Sequence, residues 1–357
     1  MSQLRVLRRP GRTSFAGNDY LGLATEPRMV EALAAAARQH GISATSSRWA
    51  LGWTDLYAAL ESRLAEFFGA DDAVIFGATY LAGPAYFGVM AETHGGVYCY
   101  ENSHSNLFTG IRAAGLELRT FAHGDLAGLE RMLAAHRGRP AIVATDGVYS
   151  ISGQVPPLAE MSALARRHGA ELLIDDAHGV FAVGPTGRGA AELCGVEPGE
   201  ATIMGSMSKA LGCNGGFLCG ARDIVDKVRR SAPAAGSALP PPPIAAACLE
   251  GLRIVSQEPQ RRLRMQEHAR TMREVLRRNG ISIVADRTPI IAMVLRDEAQ
   301  AADLADHFLA HDIVIPYFKY PSEPRHNLLR SVARSCYTDA DMARFTRAVE
   351  TWPGRRG

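Results

Sequence analysis

Between residues 73 and 220 the chain alternates short, continuous apolar runs with helical patterns. The runs are AVIF (73–76), VYCY (97–100), AIVAT (141–145), ELLID (171–175), TIMG (202–205) and GFLCG (216–220), and helical segments separate the first five. A strand that is apolar on both faces must be covered on both faces, and the intervening helices supply the cover. The pattern predicts an α/β fold with a mostly parallel sheet covered by helices. Ahead of it, residues 26–40 read as an Ala-rich helix with Thr25 as cap and Pro27 in the first turn. Leu56, Leu60, Leu64 and Phe68 recur every four residues in a second helix, which Gly69 ends. The segment APAAGSALPPPP (232–243) reads as a stiff connection, because a proline run cannot sit inside a helix or a central strand. Beyond it, helical patterns at 259–279, 298–310 and 338–350, with strands at 289–295, 313–316 and 328–333, predict a smaller α+β domain. The expected division is an N-terminal arm (1–17), a large domain (18–243) and a small C-terminal domain (244–357). That agrees with 357 residues at about 150 per domain.

Charge and cysteine content narrow the function classes. Thirty-nine basic and 37 acidic side chains leave a net charge of +2, too little for bulk attraction to nucleic acid. The early basic cluster Arg5, Arg8, Arg9 and Arg12 reads as a solvated arm. No apolar run approaches the ~18 residues a membrane span needs, and the first residues carry no apolar signal core. The six cysteines show no CxxC pair, which suggests reduced thiols in a cytoplasm and no metal site.

Ligands bind where parallel strands end, and several of these ends are polar. ELLI runs into Asp175-Asp176-Ala177-His178-Gly179, and TIMG into Ser206-Met207-Ser208-Lys209. An acid at the end of a buried strand is costly unless a cation meets it. A lysine beside small hydroxyls suits imine formation with a carbonyl cofactor. Pyridoxal phosphate needs that lysine and also a carboxylate to keep its pyridine nitrogen protonated, so Lys209 and Asp175 form the candidate pair. Ser206 could hydrogen-bond the phosphate. After VYCY comes His104, able to stack on a flat heterocycle. After AVIF come Thr79 and Tyr80 at the start of a helix, where backbone N–H groups suit a phosphate.

Together, NDYLGLA (18–24), TDGVYSISG (145–153), DDAHG (175–179) and SMSKALG (206–212) make the chain resemble the α-oxoamine synthases, fold-type-I pyridoxal-phosphate transferases. SALPP (237–241) and RSVARSCYTDAD (330–341) add weaker support. The resemblance implies that Lys209 holds the cofactor covalently and moves the α-proton, and that Asp175 pairs with the pyridinium. It implies that His178 and Ser150 hold the ring 3-hydroxyl and that His104 stacks on the ring. Thr79, Tyr80 and Ser206 would bind the phosphate, with Ser237 contributed from the second subunit. Asn18 and Arg330 would bind the substrate carboxylate. The implied reaction is a decarboxylative condensation of a small amino acid with an acyl thioester, carried by coenzyme A or a carrier protein. It would take place in a homodimer with sites at the subunit interface.

The resemblance also marks departures. Seventeen residues precede Asn18, where the family carries a longer helical segment over the substrate entrance. A Gly-rich stretch is replaced by Ile42-Ser43-Ala44-Thr45-Ser46-Ser47, a histidine by Tyr57, and a Ser-Gly pair by Ala78-Thr79. An asparagine is replaced by Gly83, Asn-His-Ala-Ser by Ser103-His104-Ser105-Asn106, Tyr-Ser-Thr by Ala235-Gly236-Ser237, and His-Thr by Tyr337-Thr338. These changes keep an aminotransferase, or a lyase or racemase on the same scaffold, as the alternative reading. Retention of Lys209, Asp175 and His178 argues against a non-catalytic homologue.

Overall fold

A computed structural model describes residues 11–317 and 327–356. They divide into two compact units. The larger comprises residues 23–148 and 155–259, the smaller residues 11–22, 149–154 and 260 onward.

The larger unit holds a seven-stranded sheet: β1 (Asp72–Phe76), β2 (Gly96–Tyr100), β3 (Glu117–Phe121), β4 (Ala141–Asp146), β5 (Glu171–Asp175), β6 (Thr202–Ser206) and β7 (Gly216–Gly220). Their order across the sheet is β1-β7-β6-β5-β4-β2-β3, and only β7 runs antiparallel to its neighbours. All six apolar runs are strands. The seventh, β3, was not anticipated. It lies at the sheet edge and most of its residues are exposed or half-buried, so it lacks the continuous apolar signature.

Adjacent strand residues point to opposite faces, and both faces are covered. Leu218, Met204, Leu173 and Ala144 form one core with the helices Ala82–Met90, Ser105–Ala113 and Arg222–Arg230. Phe217, on the other face, packs against Phe68 of the helix Asp55–Phe68, ring centroids 5.1 Å apart.

Several local expectations change. The first helix is capped by Glu26 and not Thr25, with Pro27 at its start. The proline segment is partly helical: Ala232–Ala235 makes one turn, and Pro242 and Pro243 open the helix Pro242–Gln257. The first turn of a helix has no partner for its N–H groups, so proline loses nothing there. That helix belongs to the larger unit, which therefore extends to residue 259 and not 243. Residues 1–10, including Arg5, Arg8 and Arg9, lie outside the described residues. What is described of the expected arm is tied down: Thr13–Ser14 pairs in parallel with Ile313–Val314, and Arg12 faces Asp312 at 3.7 Å.

The smaller unit has an antiparallel sheet of Leu328–Val332, Ile290–Val294 and Ser282–Ile283, with the helices Glu298–Ala310 and Asp339–Thr351. Phe15, Tyr337 and Phe345 stack in its core, the first pair 4.2 Å apart. Among the described residues no helix is long and apolar enough to cross a membrane.

The helices Ala82–Met90 and Ser105–Ala113 touch through glycines: a Cβ on Gly110 would lie 2.7 Å from the Gly83 carbonyl carbon. Gly110→Ala should push them apart and lower stability by about 1–3 kcal/mol, measured by thermal or urea denaturation. An unchanged midpoint would refute the close contact.

Candidate active site

The strands β1, β2, β4, β5 and β6 share one direction, so their C-terminal ends lie along one edge of the sheet. A cavity of about 210 Å³ opens there. Thr79 and Tyr80 follow β1, His104 follows β2, Asp175 ends β5 with His178 just beyond it, and Ser206 ends β6 with Lys209 three residues on. All seven line this one cavity, so the structure brings together the larger-unit residues that the sequence singled out, except Ser237.

Asp175 is buried, and its Oδ1 accepts the Ala177 N–H at 3.2 Å. Its Oδ2 accepts from Asn106 Nδ2 at 3.0 Å. Asp146 is the in-register neighbour of Asp175 on β4, and its Oδ1 accepts the His104 N–H at 3.0 Å. Burial first, and then the negative charge of Asp175, push the Asp146 carboxyl well up from its ordinary value. Asp176 is fully buried, accepts the Ala190 N–H at 2.7 Å, and is pushed up to about 8, mainly by burial.

Three hydroxyls of the cavity lining converge. Thr79 Oγ1 donates to Ser206 Oγ at 3.0 Å, and Ser206 Oγ lies 2.8 Å from Ser208 Oγ. The Thr79 backbone comes so close to β7 that a Cβ on Gly216 would lie 2.3 Å from its Cα. His104 begins the helix Ser105–Ala113, accepting the Asn106 N–H on Nδ1 at 3.3 Å, and its ring is exposed. The Tyr80 hydroxyl lies 3.0 Å from Thr109 Oγ1.

Asn18, Ser150 and Arg330 form a second cluster, within the smaller unit. Arg330 Nε donates to the Ser150 carbonyl at 2.7 Å and Nη2 to Asn18 Oδ1 at 2.9 Å. The buried Tyr20 stands beside them, its phenol pushed up to about 12 by burial, against an opposing pull from Arg330. Ser237 joins neither cluster: its hydroxyl donates to the Pro233 carbonyl at 2.5 Å.

Sequence reasoning missed Asp146, Asn106 and Ser208. Asp146 carried the signal that found Asp175, an acid at the end of an apolar strand. Asn106 had no such signal, since only the turn of its helix aims it at Asp175.

The chain matches the family described as aminotransferase class I and II over residues 11–349. It is 35% identical to the 8-amino-7-oxononanoate synthase of Chromohalobacter salexigens over 329 residues, 92% of this chain and 85% of that one. The chain belongs to the α-oxoamine synthase family. The serine palmitoyltransferase of Sphingomonas wittichii superposes with a TM-score of 0.91 at 26% identity, covering 95% of this chain and 86% of that one. A high-resolution structure of SPT with a PLP internal aldimine superposes with a TM-score of 0.88 at 26% identity, covering 95% and 87%.

The cofactor of α-oxoamine synthases is pyridoxal 5′-phosphate, and the residues present fit it. The cavity lining holds both a buried carboxylate and a group of hydroxyls, which suit a cationic ring nitrogen and a phosphate. Asn106 Oδ1 is buried without a hydrogen-bond partner among the described residues, an acceptor awaiting a donor.

The raised value of Asp176 makes stability depend on pH. The folded chain keeps a proton that an unfolded aspartate releases near pH ~3.9, so stability falls as pH rises from there through about 8. Asp176→Asn removes the titration. Its thermal midpoint should therefore rise relative to the parent between pH 5 and pH 9; a constant difference would contradict the assignment.

Proposed function

We propose that the cavity at the sheet edge carries out the family's decarboxylative condensation of a small amino acid with an acyl thioester. One C–C bond forms between the amino acid Cα and the acyl carbon. The C–S bond breaks, the thiol leaves, and carbon dioxide is lost to give an α-amino ketone. The observation that carries this reading is the convergence of Lys209, Asp175 and His178 on one cavity in a chain of this family.

When bound, the cofactor supplies an electron sink for the carbanion at Cα. Asp175 would pair with its ring nitrogen and His178 with its 3-hydroxyl, joined in our reading by Ser150. His104 would cover the ring face. Thr79, Tyr80 and Ser206 would hold the phosphate, with Ser208 a further hydroxyl donor. Lys209 Nζ would hold the cofactor covalently and move the proton at Cα. In the smaller unit, Asn18 and Ser150 occupy one side of the Arg330 guanidinium, and its remaining N–H groups suit a two-pronged contact with the substrate carboxylate.

We further propose a homodimer with its sites at the subunit interface. Arg48 is anchored by a buried ion pair with Glu61 (2.6 Å) and stacks 4.3 Å from the Trp53 ring centroid. From this anchored loop Trp49 (66% exposed) and Leu51 (90% exposed) project outward, a poor arrangement for an isolated subunit. Ser237, half-buried and turned to its own chain, would reach a partner's phosphate only after reorienting. All six cysteines are free thiols, which supports a reducing, cytoplasmic setting. The acyl carrier would be coenzyme A or a carrier protein.

The test is release of carbon dioxide from carboxyl-labelled amino acids in the presence of pyridoxal phosphate. Release should require an acyl thioester; amino-group transfer without one would overturn the reading in favour of transamination. Lys209→Ala should lose the visible cofactor absorbance and slow turnover by roughly 10²–10⁴-fold. Arg330→Ala should weaken amino-acid binding about tenfold or more in spectral titrations. Leu51→Glu should shift the protein from dimer to monomer in sedimentation velocity; an unchanged dimer would exclude this loop from the interface.

A further inference from the structure

We propose that Asn106 is a positioning residue that sets the Asp175 carboxylate for the cofactor in this chain. Asn106 is 1% exposed and lines the cavity. The orientation of its amide is fixed by chemistry. An ionised carboxylate only accepts hydrogen bonds, so the atom 3.0 Å from Asp175 Oδ2 must be the NH₂ group. That leaves the amide carbonyl buried with no partner among the described residues.

A buried, unpaired carbonyl is costly unless a ligand supplies a donor. A protonated ring nitrogen paired with Asp175 would supply such a donor near the Asn106 amide. Asn106 thus restrains the carboxylate through its NH₂ and offers its carbonyl to the same incoming proton. With the Ala177 N–H on Oδ1, the amide ties down both oxygens of Asp175.

The position coincides with two of the departures. Asn106 stands where the resembled sequences carry serine, and Gly83 where they carry asparagine. The two positions meet in space: a Cβ on Gly83 would lie 3.0 Å from the Asn106 carbonyl oxygen of the backbone.

The experiment titrates the cofactor-free parent, Asn106→Ser and Asn106→Asp with pyridoxal phosphate, reading affinity and the pH profile of the visible band. Thermal midpoints are measured in parallel. Asn106→Ser should bind about tenfold more weakly, as expected for loss of a hydrogen bond to a charged group. Asn106→Asp keeps the shape but removes the donor. Its affinity should be reduced at pH 8 and return toward the parent's as acid protonates the new carboxyl, whose O–H then replaces the amide donor. Lower midpoints in both variants, with parental affinity and band profile, would overturn the proposal, because Asn106 would then only fill space. So would an Asn106→Asp deficit that does not change with pH relative to the parent. A parent that binds no cofactor would instead refute the cofactor assignment itself, which separates the two failures.

Discussion

Three carboxylates, Asp146, Asp175 and Asp176, are buried together at the ends of β4 and β5, and much of the site is organised around supporting them. Removing such groups from water costs several kcal/mol each unless donors or a cation replace the solvent. Here the donors come from a loop and from the starts of helices: His104 N–H to Asp146, Ala177 N–H and the Asn106 amide to Asp175, Ala190 N–H to Asp176. Three glycines make room for Asp176, since a Cβ on Gly147, Gly179 or Gly189 would lie within 2.3 Å of its carboxyl oxygens. Burial above all, and the charge of Asp175 besides, makes Asp146 and Asp176 hold their protons more tightly. In the proposed reading, a protonated ring nitrogen would be the cation that Asp175 meets.

The same logic distinguishes two groups in the cavity lining. Thr79, Ser206 and Ser208 offer hydroxyls suited to an anion, while Asp175 offers a carboxylate suited to a cation. Arg330 follows a different scheme: a strand residue in the smaller unit, its guanidinium held by a backbone carbonyl and an asparagine.

Legibility in the sequence followed how local the determinant was. Strands buried on both faces announce themselves as apolar runs, so six of the seven sheet strands were readable, while edge strand β3 was not. Asp175 and Lys209 were readable because each follows such a strand. Asn106 was not, because its partner is 69 residues away and only the packing of Gly83 against Gly110 brings its helix turn to the acid. The departures divide in the same way. Within the segment that replaces a Gly-rich stretch, Thr45 adopts a positive φ of 54°, unfavourable for a β-branched residue. By contrast, nothing in the sequence showed that Tyr57 would donate to the Pro240 carbonyl at 2.8 Å, fixing the proline segment.

The loop carrying Lys209 shows why two distant motifs are both recognisable. The loop closes on itself: Met207 N–H donates to the Gly215 carbonyl at 3.0 Å and Cys213 N–H to the Met207 carbonyl at 2.9 Å. Gly212 turns with φ 66°, and a Cβ there would lie 2.3 Å from the Ala24 backbone nitrogen. The glycine of SMSKALG is therefore required twice, by its left-handed conformation and by the close approach of the NDYLGLA segment. That contact seats the lysine-bearing loop against a fixed strip of backbone, and a loop so seated limits where Lys209 Nζ can travel. The two motifs are thus tied by packing: residues 23 and 24 form the strip of backbone against which only a glycine at 212 fits, three residues beyond the lysine.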